Sequence, residues 1–68
     1  MKNWLYNDSL DCWHNLDEFV KITIIKDGAF FDVMGVQRSG VYFNFFISSS
    51  LEEAEDWLDK FLHQNNNR

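Results

Sequence analysis

An α+β fold, a small three-stranded antiparallel β-meander followed by one C-terminal amphipathic helix packed on one face, is predicted by three observations. An Asp-Gly turn separates two apolar runs, a glycine-closed loop precedes a third run, and a serine cap opens a helical pattern. Asp27-Gly28 suits a two-residue type I′ turn, because both central residues tolerate positive φ. That turn places Ile25 opposite Phe30, Ile24 opposite Phe31 and Ile22 opposite Val33. One face then carries Val20, Ile22, Ile24, Phe31 and Val33 without a charge. The other carries the mixed set Phe19, Lys21, Thr23, Ile25, Phe30, Asp32 and Met34. A one-residue slip would scramble this sorting, so turn chemistry and face pattern support each other.

Arg38-Ser39-Gly40 reads as a three-residue loop, a type I turn with glycine in the left-handed position of a G1 bulge. This register sends Val41, Phe43, Phe45 and Ile47 to the core face, and Tyr42, Asn44 and Phe46 to the second face. Gly35 is expected on the core face, leaving room for a large neighbour such as Phe43. Ser50, with Glu53 three residues on, forms a capping box, and Ser49 with Glu52 is the one-residue shift of it. Leu51, Ala54, Leu58, Phe61 and Leu62 then recur as an apolar stripe, with Trp57 on its flank. Glu52, Glu53, Glu55 and Asp56 near the start and Lys60 and His63 near the end suit the helix dipole.

These elements divide a single domain, 1–68, into an N-terminal segment 1–18, a sheet 19–47, a helix 50–64 and a polar frayed tail 65–68. The N-terminal segment is ambiguous. Leu10, Trp13, Leu16 and Phe19 have a spacing near three, which favours a short helix over 9–16 capped by Asp8 or Ser9. The alternative is a fourth strand at Trp4-Leu5-Tyr6, ending in a turn through Asn7-Asp8-Ser9.

Sixty-eight residues cannot fill two cores. Cys12 is the only cysteine, so no disulfide within the chain compensates for small size. Twelve aromatic residues take that role, each able to bury roughly 150–250 Å². A lone thiol and no apolar signal region point to a cytoplasmic protein, and no run is long enough to span a membrane. Eleven acidic against six basic residues, a net charge of −5, disfavour direct nucleic-acid binding.

Chemistry-bearing motifs are sparse. Cys12, His14 and His63 are too few for a four-ligand zinc site, so neither metal nor cofactor is expected. Cys12 and His14 would share a face in a strand but would diverge by about 200° in a helix. Without a third orienting group or an oxyanion feature they do not indicate an enzyme. Asp27-Gly28 lacks the oxygen ligands of a calcium loop, and Gly35 and Gly40 make no phosphate fingerprint.

The surfaces say more. One helix covers one sheet face, and the second face still offers Phe19, Ile25, Phe30, Met34, Tyr42 and Phe46, more apolar area than monomers expose. Its cover is the N-terminal segment, a second copy or another protein. Segment 41–47 is uncharged and forms an edge open to pairing. Glu52, Glu55, Asp56 and Asp59 give the helix an acidic side able to steer a basic partner. The expected partner-binding residues are therefore Phe30, Met34, Tyr42, Phe46, Glu52, Glu55, Asp56 and Asp59.

In size and composition alone, this short, acidic, aromatic-rich chain is similar to small inhibitor proteins: phage anti-defence proteins including anti-CRISPRs, immunity proteins and antitoxins. The resemblance implies a non-catalytic module that inhibits a larger protein or nucleoprotein target. The alternative is a homo-oligomer, a dimer for instance, assembled through the edge 41–47 or the second sheet face.

Overall fold

The computed structural model describes residues 3–64. Its elements are β1 (Trp4–Asn7), β2 (Cys12–Asn15), a 3-10 turn (Leu16–Glu18), β3 (Phe19–Asp27), β4 (Phe30–Gln37), β5 (Tyr42–Ser48) and α1 (Leu51–Leu62). β1 and β2 form an antiparallel hairpin, and β3-β4-β5 form the antiparallel meander, so the class is α+β as predicted. The predicted tail 65–68 lies outside the described residues.

The β3-β4 turn sits one residue later than predicted. Asp27 pairs with Phe30, so Gly28 and Ala29 form the turn. Gly28 takes φ +62 while Ala29 does not enter positive φ, the pattern of a type II′ turn with glycine first. Ile24 therefore lies opposite Val33, not Phe31, and Ile22 opposite Gly35, not Val33. The pairing moves by two residues, an even number, so the side chains from Lys21 to Met34 keep their predicted faces. The β4-β5 loop is as predicted. Gly40 N–H donates to the Gln37 carbonyl at 2.8 Å, Gln37 N–H donates to that of Val41 at 2.8 Å, and Gly40 has φ +92.

Two β-bulges change the rest of the face assignment. In β3 the pairing jumps from Lys21↔Val36 to Phe19↔Gln37, leaving Val20 unpaired. Phe19 thereby turns into the core, and Val20, predicted there, is exposed. In β5 it jumps from Met34↔Asn44 to Val33↔Phe46, with Phe45 as the extra residue. Consecutive Phe45 and Phe46 then both face the helix. Ile47, predicted inside, is exposed, and Val41 precedes the strand and is exposed too. The cause is space over Gly35. A Cβ there would lie 2.5 Å from the Phe45 ring and 2.6 Å from that of Phe19. Both bulges deliver an aromatic ring onto the one position without a side chain, and neither ring belongs to the predicted Phe43.

The N-terminal segment is a hairpin, not the helix expected over 9–16. Asn7 Oδ1 accepts from Ser9 N–H at 2.9 Å and Leu10 N–H at 3.1 Å, an Asx turn, and Asp11 at φ 54 completes the reversal. The hairpin lies on the helix side of the sheet: Leu5 joins Val33, Phe45, Ala54 and Phe61 in the core. β1 is an edge strand, and Gln64 covers it. The Gln64 side-chain amide exchanges two hydrogen bonds with the Tyr6 backbone, at 2.9 and 2.6 Å, as a neighbouring strand would.

Helix α1 ends at Leu62, shorter than the predicted 50–64. Ser50 Oγ accepts from Glu53 N–H at 3.2 Å, as the capping box requires. The return bond runs through Ser48, whose hydroxyl donates to the Glu53 carboxylate and accepts from Ser50 N–H at 3.0 Å. Ala54 and Phe61 are buried, and Trp57 stacks between Phe46 and Phe61 with ring centroids at 4.9 and 4.8 Å. Leu51 and Leu62, at the ends of the predicted stripe, are exposed.

Candidate functional site

With helix and hairpin both on the inner side, the second sheet face has no cover among the described residues. Strand alternation and register place four rows on it: Lys21-Val36-Tyr42, Thr23-Met34-Asn44, Ile25-Asp32-Ile47 and Asp27-Phe30. Tyr42 is 58% exposed, Ile47 54%, Phe30 51% and Ile25 39%. Scattered apolar side chains are ordinary on a surface, but these lie on adjoining strands of one face. Of the expected partner-binding residues, Phe30, Met34 and Tyr42 are here. Phe46 is not: the Phe45 bulge turns it under Trp57, where it serves the core. Ile47 takes its place on the outer face, and the bulge that put it there has no signature in sequence.

Glu52, Glu55, Asp56 and Asp59 are exposed along one side of α1, at the three- and four-residue spacing that aligns helix side chains. The sheet separates them from the apolar face, so the two predicted surfaces point in opposite directions. Asp56 pairs with Lys60 at 3.2 Å and Asp59 with His63 at 3.2 Å. These exposed i,i+4 pairs contribute little stability. A shallow groove of about 190 Å³ beside α1, between Trp57, Lys60, Gln64 and Tyr6, is tied shut at one end by Trp57 Nε1–H donating to Asp8 at 3.1 Å. Across from it the Tyr6 hydroxyl donates to the Asp11 carboxylate, which raises the phenol's pKa above its ordinary value of 10.0.

Cys12 and His14 share the inner side of β2, and Asn7 supplies a third polar group. His14 Nε2 is 3.5 Å from Cys12 Sγ and 3.2 Å from Asn7 Nδ2. Such a trio could serve nucleophilic catalysis if the base used one ring nitrogen toward the thiol and the other toward its orienting group. Here both neighbours meet the same nitrogen. Asn7 Oδ1 already accepts two backbone N–H groups, so Nδ2 is the donor toward His14, Nε2 holds the lone pair and the proton sits on Nδ1. Four aromatic rings, Phe19, Phe43, Phe45 and Phe61, surround the imidazole with centroids 4.7–6.5 Å away. Burial lowers its pKa from the ordinary 6.5, opposing the imidazolium that a thiolate would need. The trio is a core polar node.

That node sets an acid limit on the fold. The unfolded chain's imidazole takes a proton near 6.5 while folded His14 resists it, so below that pH the unfolded state binds the extra proton. Stability is expected to fall as pH drops through 6.5, by at most about 1.4 kcal/mol per unit. Urea titrations of wild type and His14→Gln at pH 7.5, 6.5 and 5.5 check this. The wild type should lose more than the variant, and parallel losses would remove the assignment.

Among the described residues no group of three or more His, Cys, Asp or Glu is placed to hold a metal ion, and no helix is long and apolar enough to cross a membrane. No protein-family model matches the chain, and no curated protein or solved structure is significantly similar to it. The surfaces alone therefore carry the functional reading.

Proposed function

We propose that this protein is a non-catalytic protein-binding module whose docking surface is the outer face of the β3-β4-β5 sheet. One observation carries the reading: Ile25, Phe30, Tyr42 and Ile47 stay substantially exposed on a face that neither the helix nor the N-terminal hairpin covers. Large side chains on adjoining paired strands form a continuous platform, and burying them supplies the apolar centre that protein interfaces require. The edge of β5 is the poorer surface. Its bulge interrupts the ladder, and the Asn7 amide occupies the Phe45 carbonyl at 3.0 Å, so a visiting strand finds no continuous row of partners.

The acidic row on α1 favours a second reading, an inhibitor that occupies a basic or nucleic-acid-binding site on a larger target, in the manner of phage anti-defence, immunity or antitoxin proteins. Its support is the alignment of Glu52, Glu55, Asp56 and Asp59 on one exposed side. Capture from a lysate of the native host with wild type, Phe30→Asp/Tyr42→Asp and Glu55→Lys/Asp59→Lys separates the readings. Docking through the sheet predicts that the first double variant loses the captured protein by at least about tenfold while salt has little effect. Docking through the helix predicts loss in the second and release as salt rises. Equal capture by all three would overturn both.

A further inference from the structure

Resting on the reading of the outer sheet face as a docking surface, we infer that its occupant is a second copy of this chain, stacked sheet to sheet with strands antiparallel about a twofold axis that crosses the strands within the interface. The charges on the face select this arrangement. Lys21 stands at one end of the face, Asp27 at the other, and Asp32 near the middle. If the axis ran along the strands, β4 would lie on β4 and Asp32 would meet its own copy, a like-charge contact in a drying interface. With the axis across the strands, the rows exchange end for end. Lys21 of each copy then lies over Asp27 of the other, giving two opposite-charge contacts at the rim. Asp32 comes over Met34 of the second copy, between that copy's Thr23 and Asn44, both able to donate hydrogen bonds.

The apolar residues follow the same exchange. Phe30 falls on Val36 of the second copy, Ile25 on Thr23 and Ile47 on Asn44, so these three large side chains each meet a smaller one, while Tyr42, whose row faces a row with no β5 member, lies at the rim. Sheets stacked in this way lie about 10 Å apart with a small rotation from their twist. Tyr42, Ile47, Phe30 and Ile25, 39–58% exposed on each copy, supply the apolar area of an interface that in a specific dimer buries about 1,200 Å² or more in total. The helices end on the two outer sides, so each dimer displays two acidic rows facing away from one another. A net charge of −5 per copy opposes any closer approach of those rows, and this stacking keeps them farthest apart.

Sedimentation equilibrium of the full chain, from micromolar to millimolar concentration, tests the inference. The expected result is a reversible monomer–dimer equilibrium. Phe30→Asp should weaken it by about a hundredfold or more, and Lys21→Glu or Asp27→Lys alone by about tenfold. Joining Lys21→Glu with Asp27→Lys restores the charge pairs and should return the dissociation constant to within about threefold of wild type. All three positions are exposed and outside the core, and circular dichroism of each variant confirms that the fold is kept. A strictly monomeric wild type overturns the inference, as does a dimer that the double exchange fails to restore. Failure here is distinct from failure of the docking surface itself. A monomer whose Phe30→Asp/Tyr42→Asp variant loses its captured protein keeps the surface and rejects only the second copy.

Discussion

Asn7→Ala is expected to destabilise the fold by about 3–4 kcal/mol, most of what a domain of this size has to lose. Asn7 is fully buried, and its side chain makes four hydrogen bonds. Oδ1 accepts from the Ser9 and Leu10 N–H groups, while Nδ2 donates to the Phe45 carbonyl at 3.0 Å and to His14 Nε2 at 3.2 Å. Alanine frees the two turn N–H groups, which water can reach, because Ser9 and Leu10 are exposed. It also strands the buried Phe45 carbonyl and leaves His14 Nε2 with only the weaker Cys12 thiol at 3.5 Å, and an unmade bond at a buried acceptor costs about 1–3 kcal/mol. Asn7→Asp separates these contributions. A carboxylate still accepts in the turn but meets the Phe45 carbonyl and the Nε2 lone pair as a third acceptor. It should therefore lose nearly as much as alanine at neutral pH. Urea unfolding followed by tryptophan fluorescence reads both, and a near-neutral Asn7→Asp would shift the weight from the core node to the turn.

Local rules made part of this architecture legible. The cap at Ser50, the loop closed by Gly40 and the alternation of β3 and β4 each depend on residues within a few positions of one another. What failed was decided at a distance. Val20 and Phe45 bulge because Phe19 and Phe45 converge on Gly35 from opposite strands, and no pattern within β3 or β5 encodes that meeting. The N-terminal hairpin escapes a pattern-based reading because its strands have only four residues each, too short for alternation to outweigh the chance spacing of Leu10, Trp13, Leu16 and Phe19. Asn7-Asp8-Ser9 held the better signal, an Asx turn, and it agreed with the strand alternative. The same division runs through the candidate site. Phe30, Met34 and Tyr42 precede the β5 bulge or lie on β4 and keep their predicted face. Phe46 follows the bulge and loses it.

Gly35→Ala tests that convergence, and its expected sign is opposite to the intrinsic preference. In an ordinary strand, replacing glycine by alanine stabilises by about 0.5–1 kcal/mol, because glycine loses more backbone freedom on folding. At Gly35 the new methyl would lie 2.5 Å from Phe45 Cε2, and 2.6 and 2.8 Å from Phe19 Cδ1 and Cε1. Ring edges can move when they have room, but Phe45 is fully buried against Phe43, Phe61 and His14, so its displacement propagates through the core. Overpacking of this kind costs about 1–3 kcal/mol, so Gly35→Ala should be destabilising by about 2 kcal/mol. The double variant Gly35→Ala/Phe45→Leu identifies the cause. Phe45→Leu alone opens a void and costs roughly 1–2 kcal/mol, but in the double variant that void receives the added methyl. The two losses should therefore fall short of additivity by about 1 kcal/mol or more, with the Phe19 contacts accounting for what remains, whereas strictly additive losses would mean that the Phe45 ring does not press on Gly35.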